Sequence, residues 1–356
     1  MIIKTLLKDM MERRATDLHL TVGTPPVIRI DGELERMEYD PLTSQDTQSL
    51  VYSLLKDEQK KRFELEKELD FAFGIKGLSR FRANVFLQRG CIACAIRAIP
   101  HEILTFDELG LPKAVNIFAE KRQGLILVTG PTGCGKSTTL ASIIRKVNAN
   151  RHCHIITIED PIEYVHHHDK GIINQREIGD DTKSFKNSLR YVLRQDPDVV
   201  LIGEMRDQET MSVALNIAET GHLTMATLHT NSTYESINRI IDSFPSESQD
   251  QVRSQLSFVT IGVLTQQLVP KARGTGRVLA AEVLVCNPAV KATIRQDKLH
   301  QIYGIMQAGH KYGMRTMNQS LFSLYKKKLI TREVALERSH DIGELEQMIA
   351  TGREVI

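Results

Sequence analysis

A glycine-rich stretch between Gly124 and Thr138 has the residue types that hold a phosphate chain. Its core, Gly-x-x-x-x-Gly-Lys-Ser, follows an apolar run and precedes residues with helical spacing. The glycines let successive backbone N–H groups face phosphate oxygens, while Lys136 reaches the β- and γ-phosphates and Ser137 holds Mg²⁺. We therefore predict ATP and Mg²⁺ as cofactors, bound by Gly130, Thr132, Gly133, Cys134, Gly135, Lys136, Ser137 and Thr138.

Acidic residues follow two further strand-like runs and supply the second half of the predicted chemistry. Glu159, Asp160 and Glu163 follow one apolar run, and Glu204 follows the next. Ligands of open parallel sheets sit at the carboxyl ends of the strands. One carboxylate would order Mg²⁺ through its water shell, and another would orient or deprotonate the attacking water. We favour Glu204 for the metal and Glu163 for the water, with the reverse assignment open; Glu159 and Asp160 could instead cap a loop.

Histidines flank another apolar run, Leu223 to Leu228. A rise of about 3.3 Å per strand residue places His222 and His229 roughly 20 Å apart, so only one of them can touch a given phosphate. His229, at the carboxyl end, is the candidate sensor of the γ-phosphate, and a structural role is equally open to it. His222 fits packing or a subunit contact. The three histidines at 166–168 lack partner ligands and fit a solvated loop better than a metal site.

Three arginines lie on strand-like segments of the first hundred residues. Arg80 and Arg82 share one face of a segment, and Arg97 lies on the next segment. The other face of the first segment is apolar: Phe81, Ala83, Val85 and Leu87. A solvated strand face would explain the arginines. The sharper hypothesis is that they complete a neighbouring subunit's ATP site as arginine fingers, which would require a ring-shaped oligomer.

Composition places the chain among ordinary globular proteins. It has 356 residues, 41% of them hydrophobic, and its 46 Lys and Arg nearly balance its 44 Asp and Glu. This balance gives no general attraction to nucleic acid or anionic lipid. An amphipathic start and the lack of an apolar run of membrane-spanning length predict a cytoplasmic protein. The five cysteines fit a reducing compartment. Cys91 and Cys94, with no second pair after them, fit core thiols.

The order of the elements predicts an α/β protein with two domains. Strands and helices mix in the first part, and three strands separated by glycines then indicate an antiparallel meander, so this part is a small α+β domain. Further on, strands and helices alternate strictly, as in a parallel sheet with crossover helices. We place an N-terminal domain at 1–99, a linker at 100–114, an ATPase core at 115–285 and a C-terminal helical cap at 286–356.

Within the core, four strands are expected at Leu125–Val128, His154–Ile158, Val199–Ile202 and Leu223–Leu228. Beyond Glu282 the apolar spacing turns helical, with segments near 288–296, 298–309, 316–328 and 331–337.

Several motifs together resemble the type II/IV secretion ATPase superfamily, and within it the branch of type IV pilus retraction ATPases. The segments that carry the resemblance run through most of the chain: 17–20, 95–100, the P-loop at 130–138, 158–163, 203–207 and 220–229. The last three resemble the family's Asp box, its atypical Walker B motif and its His box. Gly203 stands in the Walker B motif where Asp is common.

The resemblance implies a PAS-like N-terminal domain, a RecA-like P-loop NTPase domain, and a homo-hexameric ring that converts ATP hydrolysis into motion between subunits. The implied function is a motor for pilus retraction and twitching motility, peripheral at the cytoplasmic face of the inner membrane. An integral-membrane platform protein at the pilus base would be its partner. The catalytic candidates are Lys136, Glu163, Glu204, His229, Arg80, Arg82 and Arg97.

Two features bear on the branch within the superfamily. Assembly-type members carry a four-cysteine zinc insert after Walker B, whereas Cys286 is the only cysteine here beyond that motif, which favours retraction. Retraction members carry Ala-Ile-Arg-Asn-Leu-Ile-Arg-Glu-Gly-Lys, which this chain matches at Ile294, Arg295 and Lys298. It departs at Lys291, Ala292, Thr293, Gln296 and Asp297. A divergent paralogue in pilus assembly or type II secretion is the alternative.

Two further hypotheses belong to other functional classes. A RecA-like nucleic-acid translocase needs a basic stripe and stacking aromatics, but this chain has no tryptophan and only 5% aromatic residues. We therefore expect no nucleic-acid partner. A docking subunit that binds ATP without turning it over would not need Lys136, Glu163 and Glu204 intact.

Overall fold

The computed structural model describes residues 2–30, 32–99 and 102–353. Two compact units divide them: the first runs to Glu102 and includes Glu163–Val165, and the second contains Ile103–Ile162 and the chain from His166 onward. Pro100, at the start of the predicted linker and the end of one resembling segment, lies outside the described residues.

The first unit is built on a six-stranded antiparallel sheet. Its helices are α1 Ile3–Glu12, α2 Ser44–Tyr52 and α3 Asp57–Glu66. Its strands are β1 Asp17–Leu20, β2 Val27–Ile30, β3 Glu33–Arg36, β4 Glu68–Ile75, β5 Ser79–Gln88 and β6 Cys91–Ile99, in the order β3-β2-β1-β6-β5-β4. The predicted meander of β4, β5 and β6 is confirmed by their antiparallel pairing. The short strand β3 was not expected, because all four of its residues are exposed and show no alternation.

The core of the first unit follows the alternation along β5. Phe81, Ala83 and Val85 are fully buried, as the sequence predicts, because every second side chain of a strand faces the same way. Leu87 ends the pattern, since it is 39% exposed. Helix α1 adds Leu6, Leu7 and Met10, all fully buried, at helical spacing.

The second unit has a seven-stranded sheet. Its strands are β7 Gly124–Thr129, β8 His154–Glu159, β9 Ile172–Glu177, β10 Val199–Ile202, β11 Leu223–Leu228, β12 Thr260–Pro270 and β13 Arg277–Val285, in the order β13-β12-β7-β11-β10-β8-β9. Helices up to the last strand are α4 Val115–Glu120, α5 Lys136–Asn150, α6 Phe185–Val192, α7 Gln208–Glu219, α8 Thr233–Asp242 and α9 Ser246–Val259.

The predicted α/β fold with a parallel core is confirmed, but the predicted strict alternation of strands and helices is wrong at both edges. β9 pairs parallel with β8, which it follows through a loop instead of a helix. β12 and β13 form an antiparallel hairpin. β9 reads Ile-Ile-Asn-Gln-Arg-Glu and has a partly exposed edge position, so it lacks the continuous apolar run that marks central parallel strands.

Beyond β13 the chain is helical, and the first helix starts at Pro288, where the first predicted segment begins. The helices are α10 Pro288–Arg295, α11 Ile302–Gln307, α12 Met317–Lys326, α13 Arg332–Glu337 and α14 Ile342–Thr351. The first four fall within the predicted segments, while α14 was not expected. Within the described part of the chain, no helix has the length and apolar character of a membrane span.

Candidate active site

The glycine-rich loop links buried strand β7 to helix α5 and bends sharply on the way. Gly130, Gly133 and Gly135 have φ values of 135°, 77° and 91°, which side chains other than glycine rarely adopt. Lack of space also excludes a side chain at Gly130, because an added Cβ would lie 2.4 Å from the carbonyl oxygen of Gln266. The loop therefore holds its backbone close to β12 and places the first turn of α5 where a phosphate meets helix N–H groups.

Lys136 folds back over this loop. Its ammonium donates to the carbonyl oxygen of Gly130 at 2.8 Å and to that of Pro131 at 3.1 Å. These carbonyls hold the side chain over the loop, and a phosphate chain in the same place would offer stronger, charged acceptors. Cys134 is buried, which raises the pKa of its thiol, so its backbone and not a thiolate serves this loop.

Glu204 lies just beyond the carboxyl end of β10 and is held by two basic side chains. Its Oε2 accepts from Arg206 at 2.8 Å, and its Oε1 lies 3.4 Å from Nε2 of His229, just beyond the end of β11. Hydrogen bonding to Glu204 is the main cause of the raised pKa of Arg206. β11 pairs directly with β10 on one side and with β7 on the other. The P-loop and the Glu204–His229 pair thus follow three adjacent parallel strands at the same edge of the sheet.

Crowding at this edge of the sheet explains why residue 203 has no side chain. An added Cβ would lie 3.2 Å from the carbonyl oxygen of Ile158 and 3.3 Å from the Cα of Glu159, both at the end of β8. Its own backbone is held on two sides, since its N–H donates to Ile158 at 2.8 Å and its carbonyl accepts from Thr227 at 2.5 Å. The missing side chain lets β8, β10 and β11 converge, and it fixes the backbone that carries Glu204.

The acids after β8 have different surroundings. Glu159 accepts from the hydroxyl of Thr157 at 2.6 Å and from the amide of Gln175 at 3.2 Å, so its carboxylate is tied to β8 and β9. Asp160 contributes to the raised pKa of Arg206 through its charge. Glu163 is exposed and belongs to the first compact unit, with Val165.

A family model for Type II/IV secretion system proteins matches residues 1–354. The chain belongs to this family. Together with the P-loop geometry, membership in the family makes it an ATPase with the RecA-like fold.

Individual relatives are similar to this chain over almost its whole length. It is 45% identical over 337 residues to the "Type IV pilus retractation ATPase PilT" of Pseudomonas aeruginosa, covering 95% of this chain and 98% of that protein. The "Type IV pilus ATPase PilU" of the same organism is 40% identical over 349 residues, with 98% and 91% covered. A crystal structure of the pilus retraction motor PilT with bound ADP superposes with a TM-score of 0.93 at 51% identity, covering 98% of this chain and 100% of that one.

The three candidate arginines of this family member lie on β5 and β6 of the first unit. Arg82 is exposed, Arg80 is half-buried, and Arg82 stands opposite Arg97 in the pairing of the two strands. Arg97 already has a partner, because its Nε donates to Asp17 at 2.7 Å. Asp17 comes from β1, in the first segment that resembles the family.

The remaining histidines of the sequence analysis have structural contacts. His222 Nδ1 lies 3.1 Å from the carbonyl oxygen of Ile217, ahead of β11. In the run 166–168, His168 Nδ1 accepts from the N–H of Ile173 at 3.1 Å. Burial and the charge of His167 lower the pKa of His166 to about 4. Among the described residues there is no cluster of His, Cys, Asp and Glu side chains suited to a metal ion.

Sequence reasoning missed a set of buried polar side chains behind the P-loop. Thr129 precedes Gly130 and bonds to Thr265 at 2.7 Å, and Gln266 donates to Thr139 of α5 at 2.9 Å. The pairs join β7 and α5 to β12, which lies more than a hundred residues further along. Their only signal in the sequence is polar residues within otherwise apolar runs.

Proposed function

We propose that this chain is a homo-hexameric, Mg²⁺-dependent ATPase motor that powers type IV pilus retraction and twitching motility. The observation that carries the proposal is the placement of the P-loop and the Glu204–His229 pair on adjacent parallel strands, in a chain that matches PilT over 98% of that protein. Such an edge is where a RecA-like sheet presents its nucleotide to catalytic side chains.

The P-loop binds the phosphate chain in this account. Backbone N–H groups from Gly133 to Thr138 face the phosphates, and Lys136 leaves the carbonyls of Gly130 and Pro131 for the β- and γ-phosphates. The ammonium thereby exchanges neutral acceptors for charged ones at little cost in reorganisation, because the loop already holds the side chain near the place where phosphate binds.

The donor set around this site fits Mg²⁺, which prefers oxygen ligands. Ser137 offers a hydroxyl at the start of α5 and Glu204 a carboxylate reached through water, whereas the buried Cys134 offers no thiolate. Ser137 and Glu204 would hold the ion, and when bound it would supply positive charge to offset the charge that develops on the phosphates.

The hydrolytic step needs a carboxylate for the attacking water. We assign Glu163 to orient or deprotonate this water and Glu204 to the water shell of the metal, and His229 to sense the γ-phosphate beside Glu204. The two glutamates could exchange these roles, and the variants below separate them.

The working assembly is proposed to be a ring at the cytoplasmic face of the inner membrane, against an integral-membrane platform protein at the pilus base. In the ring, Arg80, Arg82 and Arg97 are candidates to neutralise phosphate charge in a neighbouring subunit's site. Arg80 and Arg82 lie on β5, and Arg82 stands opposite Arg97 of β6, so all three side chains come from one part of the sheet.

A paralogous pilus ATPase with an auxiliary role is the second candidate. PilU is nearly as similar as PilT, at 40% against 45% identity. The departures from the retraction motif also fall together in and just after α10.

ATPase assays on the purified protein and three variants test the enzymatic part. Lys136→Ala should abolish turnover, and Glu204→Gln should lower kcat by about 10²-fold or more while nucleotide still binds. Glu163→Gln should lower kcat by a similar factor and, unlike Glu204→Gln, leave the Mg²⁺ concentration for half-maximal activity unchanged. Unchanged turnover in all three variants would refute the assignment.

A further inference from the structure

A chain of hydroxyls runs behind the P-loop from β12 to the segment after His229. Thr265 lies 2.7 Å from Thr129, Thr129 lies 3.3 Å from Ser236, and Ser236 lies 2.6 Å from Thr230, all measured between side-chain oxygens. Thr129, Ser236 and Thr265 are fully buried. Buried hydroxyls must find partners, so this chain is a fixed part of the interior.

The hydroxyl of Ser236 lies at the centre of this chain. It donates to the carbonyl oxygen of Ser232 at 2.8 Å and, at the longer distance of 3.3 Å, to the hydroxyl of Thr129. Its oxygen can still accept from Thr230, since either hydroxyl of that pair can donate, and the same holds for Thr129 and Thr265. Ser236 therefore joins the end of β7 to the loop between β11 and α8.

A buried acid also bonds to the first turn of α8. Glu282 of β13 is fully buried and accepts from the N–H of Thr233 at 2.7 Å and from that of Met317 at 3.2 Å. The carboxylate thus lies at the N-termini of α8 and α12, where helix dipoles favour negative charge. Because Ser236 and Glu282 both bond to it, the first turn of α8 has little freedom to shift.

The loop that this turn anchors carries His229. Only Thr230, Asn231 and Ser232 separate His229 from α8, and Thr230 bonds directly to Ser236. We infer that Ser236 is a positioning residue for ATP hydrolysis: through Thr129 and Thr230 it sets the place of His229, and so of Glu204, relative to the P-loop. The inference rests on the proposed use of this site for ATP hydrolysis.

Steady-state ATPase kinetics of Ser236→Ala test it against a matched control. Ser257 of α9 is buried to the same degree and donates to the carbonyl of Ser254 at 2.7 Å, a bond that stays within its own helix. We expect the melting temperature to fall by a similar amount in both alanine variants. Only Ser236→Ala should lower kcat, by about tenfold, which equals about 1.4 kcal/mol in the barrier, with KM for ATP within about twofold of wild type.

A pair of substitutions at Thr129 tests the hydroxyl itself. Thr129→Val keeps the shape and removes the hydroxyl, and should reproduce the kcat loss of Ser236→Ala, whereas Thr129→Ser keeps the hydroxyl and should restore most of kcat. The double variant Thr129→Val with Ser236→Ala should lose no more than either one, because both break the same link. These variants also decide the matter if Ser236→Ala fails to fold.

Three results would overturn the inference. In the first, Ser236→Ala has the same kcat as Ser257→Ala. In the second, Thr129→Ser is as slow as Thr129→Val. In the third, the losses of kcat in the double variant are fully additive. Each of these requires an active wild-type protein, so they are distinct from failure of the proposed function, in which the wild-type protein itself hydrolyses no ATP and both ideas fall together.

Discussion

His229 Nε2 lies 3.4 Å from Glu204 Oε1, and this contact joins the ends of two neighbouring parallel strands. Arg206 forms an ion pair with the other carboxylate oxygen of Glu204 at 2.8 Å. Glu204 is therefore oriented by one group from its own segment and one from the next strand. A movement of the His229 segment relative to β10 would change the surroundings of this carboxylate directly.

Gly203→Ala should damage both stability and turnover. The added methyl meets backbone atoms of β8 at 3.2 and 3.3 Å, and backbone moves less readily than a flexible side chain. We expect a loss of about 1–3 kcal/mol in the free energy of unfolding, measured by denaturant titration, and a lower kcat because Glu204 is displaced.

Gly304→Ala is its matched control. Gly304 is an exposed glycine of α11 with no atom within 4 Å of an added Cβ. This substitution should leave kcat unchanged and stabilise the protein by about 0.5–1 kcal/mol through its helix propensity. Equal effects of the two alanines would contradict the crowding at Gly203.

Asp297 should affect stability in two opposite ways: its ion pair stabilises the fold, and its left-handed backbone destabilises it. Two substitutions separate these effects. Its φ is 57°, a left-handed value, and its carboxylate pairs with Arg253 of α9 at 3.0 Å. Asp297→Ala loses the ion pair and keeps the strained backbone, whereas Asp297→Gly, the residue of the retraction motif, loses the pair and relieves the strain. Asp297→Gly should be the more stable variant by about 1 kcal/mol, and equal stability would show that the backbone here is unstrained.

Asp17 should make stability depend on pH. Burial raises its pKa, but hydrogen bonds from Thr16 and Arg97 outweigh burial and leave the pKa below its ordinary value of 3.8. A lowered folded-state pKa means stabilisation that is fully present above pH 3.8 and lost as the pH falls through the folded-state value. Asp17→Asn should therefore be less stable than wild type at neutral pH, and the gap should close in acid; a gap independent of pH would contradict this.

Arg82 and Arg97 should behave differently when each is changed to alanine. Because Arg97 is engaged by Asp17, Arg97→Ala should mainly lower the melting temperature. The exposed Arg82, if it serves as a finger, should lose about 10³-fold in kcat on Arg82→Ala with the ring intact by light scattering. The reverse pattern would move the finger to Arg97.

The sequence predicts the P-loop, the central strands and the acids after them because these signals are local. Glycine spacing and continuous apolar runs need no knowledge of the rest of the chain. The edge strand β9 and the hydroxyl chain cannot be predicted from such local patterns. Thr129 and Ser236 are 107 residues apart, and only the folded sheet brings their oxygens together. The pairing of Asp297 with Arg253 is likewise visible only once α9 and α10 are packed.

The central claim is that ATP hydrolysis at the Glu204 site drives pilus retraction, and a deletion strain of the host tests it most directly. Surface pili and twitching motility would be measured in the deletion strain and after complementation with wild type or Glu204→Gln. We predict excess pili without twitching in the deletion, restored by wild type and not by Glu204→Gln. Bald cells would place the protein in pilus assembly, and full rescue by Glu204→Gln would contradict the claim.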